Sequence, residues 1–201
     1  TNMVEGDGNN AFGFNALTNN SPAGASATQG DNNNAFGSSS LATNTIGSGN
    51  TAIGESAMRN NISGNDNVAV GLNALNANTS ANNNVAIGVL ALTGNTTGTL
   101  NTAVGHNANA TQQTDFGTTS IGANSNAVGF SSTAIGFGSQ AVGANASAFG
   151  AGAQATRANQ MAFGTAASTY TMAGVNSGAS TAAQSGPTEF VTADANGNLA
   201  T

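Results

Sequence analysis

Asn84-Val85-Ala86-Ile87-Gly88-Val89-Leu90-Ala91-Leu92-Thr93-Gly94-Asn95-Thr96-Thr97-Gly98-Thr99-Leu100-Asn101-Thr102-Ala103-Val104-Gly105 begins and ends on one phrase: Ala, a large apolar residue, then Gly. The two apolar centres, Ile87 and Val104, stand 17 residues apart. Working outward, the same phrase centres on Phe12, Phe36, Ile53, Val70, Ile121, Val128, Ile135, Val142, Phe149 and Phe163. From Phe36 to Ile121 the step is 17 residues five times running, from Ile121 to Phe149 it is 7 residues four times, and a step of 14 leads to Phe163. A fixed short period is the mark of a fold built by stacking.

The two periods are related. Ile46, in Thr45-Ile46-Gly47, lies ten residues after Phe36 and seven before Ile53, so 17 is a seven plus a ten. Seven residues suit one short strand and a corner, 14 a two-strand turn, and 17 that turn with three added loop residues. The additions fall in Asn-rich pieces such as Arg59-Asn60-Asn61 and Asn76-Ala77-Asn78, whose side chains favour turns and left-handed backbone, so the loops cluster on one side. The spacing predicts an all-β solenoid of 14- to 17-residue turns.

Composition agrees. Charged residues make up 5% of the 201, with two Arg, no Lys and a net charge of -6, against about 25% in ordinary soluble domains. Asn, Ser, Thr and Gly replace them at the surface and disfavour helix. The 38% of apolar residues, set at fixed intervals, argues against disorder. The absence of a basic cluster leaves no footprint for nucleic acid. No apolar run of about 18 residues exists to insert in a membrane, and no signal peptide is expected within these residues. With no Cys, disulfides and thiolate chemistry are excluded.

Because side chains alternate faces along a strand, each phrase has a bulky face and a flat one. We expect Phe36, Ile53, Val70, Ile87, Val104, Ile121, Val128, Ile135, Val142, Phe149 and Phe163 to point inward as the core. Ala52, Gly54, Ala69, Gly71, Ala86, Gly88, Ala103, Gly105, Ala134 and Gly136 would then lie outside as a chain-to-chain packing face. Leu41, Met58, Leu75 and Leu92, five residues after a centre, are expected to fill the core where Ser63, Ser80 and Thr97 thin it. Beyond Ile121 every strand keeps its large residue, and a tighter coil is expected.

The phrases Asn50-Thr51-Ala52-Ile53-Gly54, Asn84-Val85-Ala86-Ile87-Gly88 and Ser132-Thr133-Ala134-Ile135-Gly136 resemble the head repeats of trimeric autotransporter adhesins, the YadA-like family, over residues 9 to 165. The resemblance implies a left-handed parallel β-roll, assembled with two further copies of itself into a homotrimer. It also implies a neck, a stalk and an outer-membrane anchor supplied by other parts of the protein. The expected organisation is therefore a head over residues 1–165 and a neck-like connector over 166–201, with a strand at 170–175 and a terminal hairpin. The implied role is attachment, at the cell surface, to extracellular matrix protein, to cells or to an abiotic surface. The family's collagen-binding phrase carries serines that Asn83-Asn84-Val85-Ala86-Ile87-Gly88-Val89-Leu90-Ala91 lacks, so collagen is not carried over. A trimeric phage tail or surface fibre is the alternative with the same composition. Ice or mineral binding would need Thr at one outward position on every rung, whereas Thr51 and Thr102 alternate with Val68 and Val85.

No catalytic, cofactor or metal site emerges, and an enzyme is not expected. His106 is the single His, and the eight carboxylates are scattered, with only Glu5 and Asp7 close in sequence. Asp31-Asn32-Asn33-Asn34 and Gly64-Asn65-Asp66-Asn67 offer oxygen ligands of the kind calcium takes, but they read as ordinary turns. No Gly-Lys-Ser/Thr follows any glycine run, which excludes a phosphate loop.

Overall fold

The structure is a computed structural model that describes residues 8–20, 30–109, 116–169, 192–193 and 199–200. Its strands are very short: β1 (Asn10–Phe12), β2 (Asn34–Phe36), β3 (Thr51–Ile53), β4 (Val68–Val70), β5 (Val85–Ile87), β6 (Thr102–Val104), β7 (Thr119–Ile121), β8 (Asn126–Ala127), β9 (Thr133–Ile135), β10 (Gln140–Ala141), β11 (Ser147–Phe149), β12 (Gln154–Ala155), β13 (Met161–Phe163), β14 (Thr192–Ala193) and β15 (Leu199–Ala200). No helix occurs among the described residues. The chain divides into two compact units, Thr1–Ala166 and Ala167–Thr201.

The first unit is a parallel β-solenoid. Ten strands form one sheet in the order β1-β2-β3-β4-β5-β6-β7-β9-β11-β13, and β8, β10 and β12 form a second. Every pairing in both sheets is parallel and keeps the repeat in register: Ala35 faces Ala52, Ala52 faces Ala69, and Phe36 faces Ile53. The second sheet begins where the period shortens, so the 14-residue turns carry two strands each. The 17-residue turns carry one, and on their other side they use an Asn-rich, hydrogen-bonded bend. In the second unit, β14 and β15 pair antiparallel, Thr192 opposite Ala200. The strand expected at 170–175 lies outside the described residues.

The faces of the strands are the reverse of the sequence expectation. Ala52, Ala69, Ala86, Ala103 and Ala134 are fully buried, whereas Ile53 and Ile87 are 43% and 41% exposed. Phe36, Ile121, Val142 and Phe163 are likewise exposed, and Val70, Val104, Val128, Ile135 and Phe149 are half-buried. None of the eleven expected core centres is in the core. The reason is width. The coil interior accepts one methyl from each strand because the opposite corner sends a full side chain across: Leu17, Leu41, Met58, Leu75 and Leu92 stack there with essentially no exposure. In the 14-residue turns even that corner residue is lost, and the apolar interior is Ala127, Ala134, Ala141, Ala146, Ala148, Ala153 and Ala155, with Ser125, Ser132 and Ser139 buried beside them.

The compensating role expected of Leu41, Met58, Leu75 and Leu92 is what the structure shows. These four residues also adopt left-handed backbone, with φ between 47° and 52°, because only that conformation turns the corner while aiming the side chain inward. Leu75→Ala is expected to cost about 2–5 kcal/mol, as buried Leu-to-Ala truncations do, read as a lowered urea midpoint. An unchanged midpoint would mean that the corner does not fill the core.

Gly54, Gly71, Gly88, Gly105 and Gly136, expected on a packing face between chains, have close partners within the chain itself. Each meets the backbone of the next turn of its own coil: a Cβ placed on Gly54 would lie 2.6 Å from the Gly71 oxygen. The flat residues serve stacking within one chain, and the bulky ones are left outside.

A candidate interaction face

Residues i and i+2 of a strand share a side, so each outward-facing triplet end contributes two columns. One column runs Phe12, Phe36, Ile53, Val70, Ile87, Val104, Ile121, Ile135, Phe149 and Phe163, in register by direct strand pairing. Beside it runs Asn10, Asn34, Thr51, Val68, Val85, Thr102, Thr119, Thr133, Ser147 and Met161. Nine inter-strand steps make the strip about 43 Å long at the usual spacing. No strand in it carries a charged residue. A continuous apolar strip left exposed or half-exposed is a candidate contact surface.

The strip is stiff. Each strand is fixed to the next by backbone bonds, such as Gly54 N–H to the Phe36 oxygen at 2.7 Å and Gly71 N–H to the Ile53 oxygen at 2.8 Å. At its two ends aromatic rings pair along the column, Phe12 with Phe36 at 6.5 Å and Phe149 with Phe163 at 5.4 Å between centroids. The next column outward, after the glycines, adds exposed Leu72, Val89 and Phe137. Nothing in the spacing alone distinguishes this arrangement from the inward one. The signal that could have done so is the Leu or Met five residues on, a large residue already claiming the interior.

Behind the strip, two files of buried Asn hold the turns in register. Asn33, Asn50, Asn67 and Asn84 form one file. Its Nδ2-to-Oδ1 bonds are 3.1 Å from Asn50 to Asn33, 3.0 Å from Asn67 to Asn50 and 3.1 Å from Asn84 to Asn67. Each oxygen also accepts the backbone N–H of the next Asn. Asn101 continues the file through its N–H, and Thr118 closes it with a hydroxyl bond of 2.8 Å to Asn101 Oδ1. Asn20, Asn44, Asn61 and Asn78 form the second file, with bonds of 2.6 to 2.7 Å. The sequence contains this signal as Asn at 17-residue intervals, but the apolar phrase drew the reading first.

Groups with catalytic or metal-binding chemistry are not brought together. His106 is exposed in the column of Val89 and Ala123; Asp31 lies on an earlier turn than Glu55 and Asp66, which share one turn eleven residues apart. Among the described residues no three His, Cys, Asp or Glu side chains cluster, and no helix is long and apolar enough to cross a membrane. Asp66 and Asn32 occupy left-handed turn positions. Comparison with protein-family models, curated proteins and solved structures finds no match to this chain.

Proposed function

We propose that the chain is the head of a homotrimeric bacterial surface adhesin of the trimeric autotransporter type, a left-handed roll that holds a binding surface away from the cell. The observation that carries this reading is the ten-rung column of Phe, Ile and Val left on the outside of the coil. In a single chain the column meets water. Three copies set side by side cover it, and the apolar area removed from water supplies the association at about 25 cal/mol per Å². The wording of the repeat and the near absence of charge support the same reading. Attachment then comes from many weak contacts repeated on three chains, where multivalency multiplies a modest single affinity.

The test is the mass of the segment in dilute solution by sedimentation equilibrium. Three times 19.3 kDa is expected for the native sequence. Ile53→Asp combined with Ile87→Asp is expected to give one times that mass with an unchanged far-ultraviolet spectrum, since both side chains are already exposed in the single coil. Binding to immobilised matrix protein or whole cells should then fall by about 10²-fold or more, the loss of multivalency. A native sequence that stays monomeric, with its apolar column bare, would overturn the proposal.

A further inference from the structure

Three departures from the repeat fall on one turn, residues 85–101. The first is a break in the second Asn file. Asn61 and Asn78 each donate twice, to the Asn of the turn before and to the carbonyl three residues on, Gly64 at 3.0 Å and Ala81 at 3.1 Å. Asn95 keeps its local bond, to the Gly98 oxygen at 2.9 Å, and does not reach Asn78. Both Asn78 Oδ1 and Asn95 Oδ1 are left buried without a partner, which native interiors rarely tolerate.

A single methyl group accounts for the gap between Asn78 Oδ1 and Asn95. At Gly64, one turn earlier, an added Cβ would press on Asn61 Oδ1 and lie 2.7 Å from Asn78 Nδ2. It would sit in the path of the bond joining those two side chains. Ala81 occupies the same register one turn on and has that Cβ. Its methyl separates Asn95 from Asn78, where Gly47 and Gly64 let the file pass.

The second and third departures are backbone. Leu90 has a φ of 62° at a position held by Ser56, Asn73 and Asn107 on other turns, and Leu100 has 62° where Asp66, Asn83 and Gly117 stand. Asn, Asp and Gly accept the left-handed conformation far better than Leu. Neither leucine is buried in compensation. Local conflicts concentrated in this way lower the stability of the segment that carries them.

We infer that the turn 85–101 is a built-in seam at which the solenoid opens before its other turns, separating the coil into two blocks that unwind independently. The seam does not depend on what the outer face binds. When the coil is heated or pulled, the break comes there, and the turns on either side stay wound.

Hydrogen exchange of the full chain, followed by NMR, reads this directly. Ala77 and Thr79 donate across the seam to the oxygens of Thr93 and Thr96, and Asn60 and Ile62 make the corresponding bonds one turn earlier, to Asn76 and Thr79. The amides of Ala77 and Thr79 are expected to exchange about tenfold faster or more, the effect of one orphaned buried hydrogen bond. Ala81→Gly is expected to slow them to the rates of Asn60 and Ile62, and Gly64→Ala to speed Asn60 and Ile62 in their turn. Equal rates at the two turns in the native sequence, or rates untouched by Ala81→Gly, would overturn the inference.

Discussion

Gly71→Ala is expected to destabilise the solenoid by about 2–6 kcal/mol, a large share of the stability of a typical domain. Two effects add. Gly71 has a φ of 134°, a region open to glycine and costing other residues about 1–3 kcal/mol. The added Cβ would also lie 2.5 Å from the Gly88 oxygen, 2.6 Å from its carbonyl carbon and 2.9 Å from the Val89 nitrogen. These are backbone atoms of the next turn and cannot rotate away, so the turns must separate, an overpacking cost of about 1–3 kcal/mol. Separation strains Gly71 N–H to the Ile53 oxygen, 2.8 Å, and Gly88 N–H to the Val70 oxygen, 2.7 Å. Gly138 provides the contrast. It also has a positive φ, 62°, but nothing lies within 4 Å of its Cβ position, so Gly138→Ala should cost about 1 kcal/mol. Urea unfolding followed by circular dichroism measures both. Equal midpoints for the two variants would mean that the turns are not stacked backbone to backbone.

Asn67→Ala is expected to cost about 2–6 kcal/mol, more than any exposed polar substitution. The Asn67 side chain is fully buried. It donates to Asn50 Oδ1 at 3.0 Å and to the Ala81 oxygen at 2.8 Å, and it accepts from the Asn84 N–H at 2.9 Å and Asn84 Nδ2 at 3.1 Å. Truncation leaves both Asn84 donors without these partners inside the coil, while the Ala81 carbonyl keeps Asn78 Nδ2 at 3.1 Å, and each buried orphan costs about 1–3 kcal/mol. Asn107 bonds to Asn124 at 3.0 Å in the same ladder fashion but at the surface, where water replaces a lost partner. Asn107→Ala should therefore shift stability by no more than about 0.5 kcal/mol. If Asn67→Ala were as mild, the buried file would be holding nothing.

The positions of the strands were legible in the spacing, because one phrase per turn is all that a stacked coil needs to keep register. Every centre from Phe36 to Phe163 lies in a strand or directly after one. What the spacing could not supply was the direction of the side chains. Ala86 and Ile87 are neighbours on opposite faces, and hydrophobicity alone assigns the larger to the interior. The width of the coil decides otherwise, and width is set by Leu75 and Leu92 reaching across from a corner, a contact between residues on different sides of the turn. The strands are where the spacing puts them, and the buried and exposed sides expected for them are exchanged. The Asn files escaped for a related reason: Asn33, Asn50, Asn67 and Asn84 look like loop residues in any one turn, and their hydrogen bonds exist only between turns.

The strand register has a consequence for how such a chain can change in length. Each strand of the large sheet bonds only to the turn before and the turn after, residue for residue, as Val68 opposite Val85 and Val85 opposite Thr102 illustrate. Removing or duplicating a whole turn leaves every remaining neighbour with an equivalent neighbour, as in other quasi-one-dimensional repeat proteins. Removing one residue fewer places an outward Ile where the interior holds a methyl and throws an Asn out of its file. Reach, for this molecule, is quantised: it grows or shrinks by complete turns, and partial steps are closed to it.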